Sequence, residues 1–135
     1  MTQTPFTPVA RLDGKVAVIA GGLGAIGHAS AERLAALGAS CVLLARRADS
    51  DGRAAALPTA GEQRHTALIV DIVDTPSLQA AAAKVRADYG RCDILINSAG
   101  HTQPVAASDL DALTDALIDE VVTSNFRGVF ATIRA

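Results

Sequence analysis

One stretch, residues 15–27 (KVAVIAGGLGAIG), limits what this chain can fold into more than any other. Residues 15–20 supply Val, Ala and Ile without polar alternation, the pattern of a parallel strand covered on both faces. The run passes directly into Gly21, Gly22, Leu23, Gly24, Ala25, Ile26 and Gly27, after which Ile26, Ala29, Leu34 and Leu37 recur at helical spacing. That order is strand, glycine turn, helix. Glycines let a backbone reverse sharply and approach a phosphate with no side chain between, and the free N–H groups and dipole of a helix start favour negative charge. Gly21, Leu23, Gly24, Ile26 and Gly27 are therefore candidate contacts for a dinucleotide pyrophosphate. A tight turn that merely packs helix on strand would use the same glycines.

The rest of the chain narrows these alternatives. Half of its 135 residues are apolar, enough for one modest core and a single domain. We place that domain over residues 14–135, after a short, flexible polar arm at 1–13. No apolar run approaches the roughly 20 residues that span a bilayer, and the opening MTQTPFTPVARLDG has neither a basic start nor an apolar signal segment. No membrane partner is expected. A net charge of −2, with both signs spread along the chain, gives no reason to expect a nucleic-acid partner. Cys41 and Cys92 lack metal-ligand spacing and each adjoins an apolar run, which suits buried free thiols in a reducing cytoplasm and no metal site.

Taken in order, Gly38 closes the first helix and residues 41–45 (CVLLA) form a second strand, followed at once by Arg46 and Arg47. In a doubly wound sheet the end of the second strand lies beside the adenosine ribose, where an acid holds a 2′-hydroxyl and an arginine accepts a 2′-phosphate. Here Ala45 stands where the acid belongs and Arg46 follows, which favours NADP(H), with NAD(H) possible. The alternative is that both arginines are ordinary solvated strand ends. Residues 49–63 read as a connection with two turns of helix near 53–57. A third strand over 65–70 ends in Asp71-Ile72, where the carboxylate could take an adenine amino group and the isoleucine could pack on the ring; an ordinary turn Asp is the alternative. Thr75 as cap and Pro76 at the first helical position start a helix with Leu78, Ala82, Val85 and Tyr89 on its buried stripe, ending at Gly90.

Residues 93–97 (DILIN) form a fourth strand that runs into Ser98, Ala99 and Gly100, small enough for a cofactor to lie close. The Asn97 amide could tie neighbouring strands or touch a ribose, and His101 reads as incidental. Residues 109–135 read as one long helix with Leu110, Leu113, Leu117 and Val121 on one apolar face and Ile118, Val122, Val129 and Ile133 on another. Two such faces imply packing on the sheet and on something else, such as a second subunit. Asn125 falls on the first face, as a structural anchor or part of a polar site.

These residues resemble the short-chain dehydrogenase/reductase family over nearly the whole chain. The resemblance rests on Gly21 and Gly27 of the glycine turn, Asp71, the run Asn97-Ser98-Ala99-Gly100 and Asn125, in the family's order. It departs at Ala20, Ala25 and Ser98, where the family usually has Thr, Gly, and Asn or Ala. At Gly24 many NADP-preferring members carry a basic residue, so the cofactor choice rests on Arg46. The resemblance implies an α/β, Rossmann-type doubly wound parallel sheet with helices on both faces. It also implies hydride transfer between NADP(H) and a small-molecule carbonyl or secondary alcohol, usually in a homo-dimer or homo-tetramer. The cofactor-binding set becomes Gly21, Leu23, Gly24, Ile26, Gly27, Arg46, Arg47, Asp71, Ile72, Asn97, Ala99 and Gly100, with Asn125 as the catalytic member present. The family's Ser and Tyr-x-x-x-Lys have no match: Tyr89 is the only tyrosine, Asp93 stands four residues on, and the lysines are Lys15 and Lys84. The expectation is a cofactor-binding part whose C-terminal strands are missing and which is inactive alone; a non-catalytic dinucleotide-binding module is the alternative.

Overall fold

The computed structural model describes residues 11–135. The expected arm lies mostly outside them. At its end the Leu12 N–H donates to Leu37 O at 2.8 Å.

The chain forms β1 (Val16–Ala20), α1 (Ala25–Ala36), β2 (Ser40–Ala45), β3 (Thr66–Ile69), α2 (Thr75–Tyr89) and β4 (Ile94–Asn97). A 3₁₀ turn (Leu110–Ala112) precedes α3 (Asp115–Val122), a π-helical segment (Thr123–Gly128) and α4 (Val129–Arg134). The four strands form one parallel sheet in the order β3-β2-β1-β4, with Val18 opposite Val42 on one side and Leu95 on the other. Chain order reverses at β1, as in a doubly wound sheet.

All five residues of β1 are buried, and the pleat deals them to two cores. Val16, Val18 and Ala20 join Val42, Leu44, Leu78, Val85 and Ala131 on the face under α2 and α4. Ala17 and Ile19 join Cys41, Leu43, Ala31 and Ala35 on the face under α1. An unalternating strand is what a sheet covered on both faces requires.

Helix α1 buries Gly27, Ala31 and Ala35, with the expected Leu34 partly buried against the same core, while Ile26 is 76% exposed. The reason is distance. A Cβ on Gly27 would lie 2.3 Å from Gly21 O and 2.5 Å from Ser98 Oγ, so the helix start sits against both strand ends.

Several other expectations are corrected. The cap of α2 is Asp74, without a side-chain cap bond, and Thr75 and Pro76 are already inside the helix. Residues 53–57 make a single turn, with Ala56 N–H on Gly52 O and the Asp49 carboxylate accepting from the Arg53 and Ala54 N–H groups. Cys41 is buried, and its thiol is pushed up to about 11 by desolvation, whereas Cys92 is exposed. The long helix also differs. It begins at Asp115, capped by the Thr114 hydroxyl, and packs through Leu117, Gly128, Ala131 and Thr132. Of the two predicted faces, Leu110, Leu113, Ile118, Val122 and Ile133 are exposed. Leu110 and Leu113 precede the helix, and the π segment widens the turn ahead of Val129 and Ile133, so one uniform 3.6-residue period does not hold across the whole stretch.

His65 links the connection to the sheet. Its Nδ1 accepts the Cys41 N–H at 3.1 Å, which leaves Nε2–H to donate to Pro58 O at 3.1 Å. Desolvation lowers its pKa below the ordinary 6.5, against a smaller opposing effect of the Pro58 bond. The unfolded chain therefore binds the proton more readily, and stability is complete above about 6.5 and declines as pH falls below it. We expect the thermal midpoint to drop between about pH 7 and about pH 5, and His65→Gln to flatten that limb; an equal slope in the variant would show that His65 does not carry it. In the α1 contact, Gly27→Ala should cost about 2 kcal/mol in chemical denaturation through overpacking, and an unchanged midpoint would contradict the packing described.

Candidate functional site

The glycine turn follows β1, beside the C-terminal end of β4. Gly21, at φ +78°, and Gly22 both donate their N–H groups to Leu44 O, at 2.9 and 3.1 Å, which carries the chain across the top of β2. A Cβ on Gly21 would meet Ala99 N at 2.6 Å, so the turn lies directly against the segment leaving β4. Gly24 caps α1 without a side-chain bond, and the first turn holds no acidic residue. The N–H groups of that turn are therefore open to an anion.

The opposite wall is fixed by hydrogen bonds. Ser98 donates both its N–H (2.9 Å) and its hydroxyl (2.8 Å) to Ala20 O. The His101 N–H donates to Asn125 Oδ1 at 2.7 Å, and Asn125 Nδ2 donates back to His101 O at 2.7 Å. Asn125 thus pairs with the loop as a neighbouring strand would. The His101 imidazole Nε2 lies 3.2 Å from Glu120 on α3.

Between these walls is a cavity of about 620 Å³. The structure brings Gly21, Leu23, Gly24, Arg46, Arg47, Asp71, Ile72, Ala99 and Gly100 to its lining, nine of the candidates drawn from the sequence. Arg46 and Arg47 are exposed, and neither meets a carboxylate among the described residues. Asp71 spends one oxygen on the Val73 N–H at 3.0 Å, an Asx turn that fixes the end of the third strand.

Four candidates lie elsewhere. Ile26 points to solvent, and Gly27 is the buried packing contact already described. The Asn97 side-chain Oδ1 accepts from the Thr132 hydroxyl at 2.5 Å, tying β4 to α4. Both polar ends of the Asn125 side chain are used on the His101 backbone, so it anchors the loop that lines the cavity. In return the cavity is lined by His101, which read as incidental, and by Glu120, Thr123 and Ser124 from the helix. Their spacing placed them on a helix. Only the π segment and the loop pairing show which side faces the cavity.

Among the described residues no group of three or more His, Cys, Asp or Glu side chains is placed to hold a metal ion. No helix is long and apolar enough to cross a membrane.

Comparison with known proteins agrees with this architecture. The chain is 37% identical over 125 residues to D-threitol dehydrogenase of Mycolicibacterium smegmatis, covering 93% of the chain and 47% of that protein. It is 34% identical over 134 residues to levodione reductase of Leifsonia aquatica, covering 96% and 48%. The crystal structure of a short chain dehydrogenase from Burkholderia cenocepacia in complex with NADP superposes with a TM-score of 0.79 at 32% identity, covering 92% of this chain and 50% of that one. The chain spans about half the length of these relatives. The short chain dehydrogenase family matches residues 15–135, and this chain belongs to that family.

Proposed function

We propose that this chain is the cofactor-binding part of an oxidoreductase that moves hydride between NADP(H), with NAD(H) as the weaker cofactor, and a small-molecule carbonyl or secondary alcohol. One observation carries the reading. A single cavity joins the glycine turn, two arginines without carboxylate partners and the Ser98 to His101 wall. The residues fit such a cofactor. The uncapped start of α1 and the Gly21 to Gly24 backbone would hold its pyrophosphate, Arg46 and Arg47 its 2′-phosphate, and Asp71 with Ile72 its adenine. Ala99 and Gly100 would leave room for the nicotinamide half, which supplies the hydride chemistry when bound.

Within this reading Asn125 positions the wall through the His101 backbone rather than touching reacting atoms. The NADP named in the crystal structure of the Burkholderia relative supports the cofactor class, and relatives named as a dehydrogenase and a reductase support the reaction class. The exposed apolar residues of α3 and α4, with Phe126 and Phe130 between and beside them, are the natural contact for a further subunit of a homo-oligomer.

A second reading is a dinucleotide-binding module without chemistry; Tyr89, at the end of α2 with its hydroxyl 3.4 Å from Arg64 O, lies outside the cavity lining. Under the enzyme reading, the protein extended beyond Ala135 carries a Tyr-x-x-x-Lys pair, and Tyr→Phe there lowers kcat by at least about a hundredfold. Cofactor binding without turnover of any alcohol or ketone by that longer form would favour the module instead. For cofactor choice, Arg46→Asp should weaken NADPH binding about tenfold or more while NADH binding holds or improves, read by fluorescence titration. An unchanged ratio of affinities would remove Arg46 from the 2′-phosphate site.

A further inference from the structure

Among the described residues that line the cavity, His101 is the one whose side-chain type ordinarily changes charge between about pH 5 and 8. It is held at three points. Asn125 fixes both polar groups of its backbone, and the imidazole Nε2 lies 3.2 Å from a carboxylate oxygen of Glu120, which lines the same cavity. His101 also stands near the glycine turn. It follows Ala99 by two residues, and a Cβ on Gly21 would meet Ala99 N at 2.6 Å. Two residues of chain span at most about 7 Å, so the His101 backbone is anchored within about a Debye length of the turn proposed to hold a pyrophosphate.

The other charges of the lining offset one another. Arg46 and Arg47 come from the end of β2, Asp71 from the end of β3 and Glu120 from α3, while the glycine turn and the π segment bring no charged side chain to it. Two cations thus face two carboxylates. Arg53 stands behind the turn, with Nη1 donating to Leu23 O at 2.6 Å, and does not line the cavity. A neutral His101 leaves the lining without net charge, and a protonated one makes it cationic. With Nε2–H donated to Glu120, protonation falls on Nδ1 and turns an acceptor into a donor. The pyrophosphate of a dinucleotide is anionic throughout this pH range, so one added charge moves the cavity from indifferent to attractive.

We infer that His101 is an affinity-determining residue of this cavity: its protonation, on a ring oriented by Glu120, strengthens the hold on the pyrophosphate of a bound dinucleotide. This rests on the dinucleotide reading of the cavity. The pyrophosphate is common to NAD and NADP, so the effect belongs to both nucleotides, whereas that of Arg46 concerns the 2′-phosphate alone. A His101 that only supported the loop would leave affinity independent of the charge on its ring. The pH profile of binding is therefore the signature that separates the two roles.

The test is calorimetric titration with NAD+ and with NADP+ at low ionic strength for the unchanged protein, His101→Gln and His101→Lys, with thermal melts as a folding control. Between about pH 8 and about pH 6 the unchanged protein should gain about fivefold in affinity for each nucleotide relative to His101→Gln. His101→Lys, charged at both pH values, should bind each nucleotide about fivefold more tightly than His101→Gln at about pH 8. Comparing variants removes the titration of the 2′-phosphate itself and of the protein's other groups, which all three share. The same pH dependence in the unchanged protein and His101→Gln would overturn the proposal and leave the cofactor reading standing. If His101→Gln fails to fold, a pH step in His101→Lys as large as that of the unchanged protein would overturn it instead. Failure of the unchanged protein to bind either nucleotide at either pH would overturn the cofactor reading and this proposal together.

Discussion

The contact where the start of α1 meets the ends of β1 and β4 sets the rest. Gly27, Gly21 O and Ser98 Oγ occupy a space in which one added carbon would lie within 2.5 Å of two oxygens. Because Gly27 has no side chain, the helix start drops against the strand ends, and the first-turn N–H groups open at the top of the sheet. Because Gly21 has none, the turn lies on Ala99, so both walls of the cavity are set by one contact. Van der Waals exclusion at these points fixes the geometry of the site before any ligand is considered.

The second determinant is the pairing of Asn125 with both polar groups of the His101 backbone. A loop leaving an edge strand would otherwise present unpaired N–H and C=O groups. The side chain that satisfies them sits within a π segment, whose wider turn shifts the register between α3 and α4. The consequence runs in two directions. Upstream, Glu120, Thr123 and Ser124 come to the cavity. Downstream, Ala131 and Thr132 turn to the sheet while Phe130 and Ile133 remain exposed.

Much of the site was legible because its residues lie at strand ends, where sequence and position coincide. A strand that ends one or two residues before Gly21, Arg46, Asp71 or Ala99 delivers them to one edge of a parallel sheet, whatever the side chains beneath. The same reasoning misled for Asn97, the last residue of its strand, because the pleat points successive side chains to opposite faces and the partner, Thr132, lies 35 positions on. It failed for Ile26 because the stripe that packs α1 is made of Gly27, Ala31 and Ala35, residues too small to register as a hydrophobic face. Arg53 carried no signal, since its partner is a carbonyl 30 residues earlier.

By itself the sequence determined the strand, glycine turn and helix order, the parallel sheet and the edge at which the cavity opens. These follow from local periodicity and from the absence of side chains at Gly21 and Gly27, both properties of neighbouring residues. Tertiary structure alone decided which small residues form the helix contact, how the π segment sets the face of the final helix, and that Asn125 and Arg53 act on backbone groups far along the chain. Those outcomes depend on distances between segments remote in sequence, and on carbonyl and N–H groups that every residue shares and no sequence pattern distinguishes.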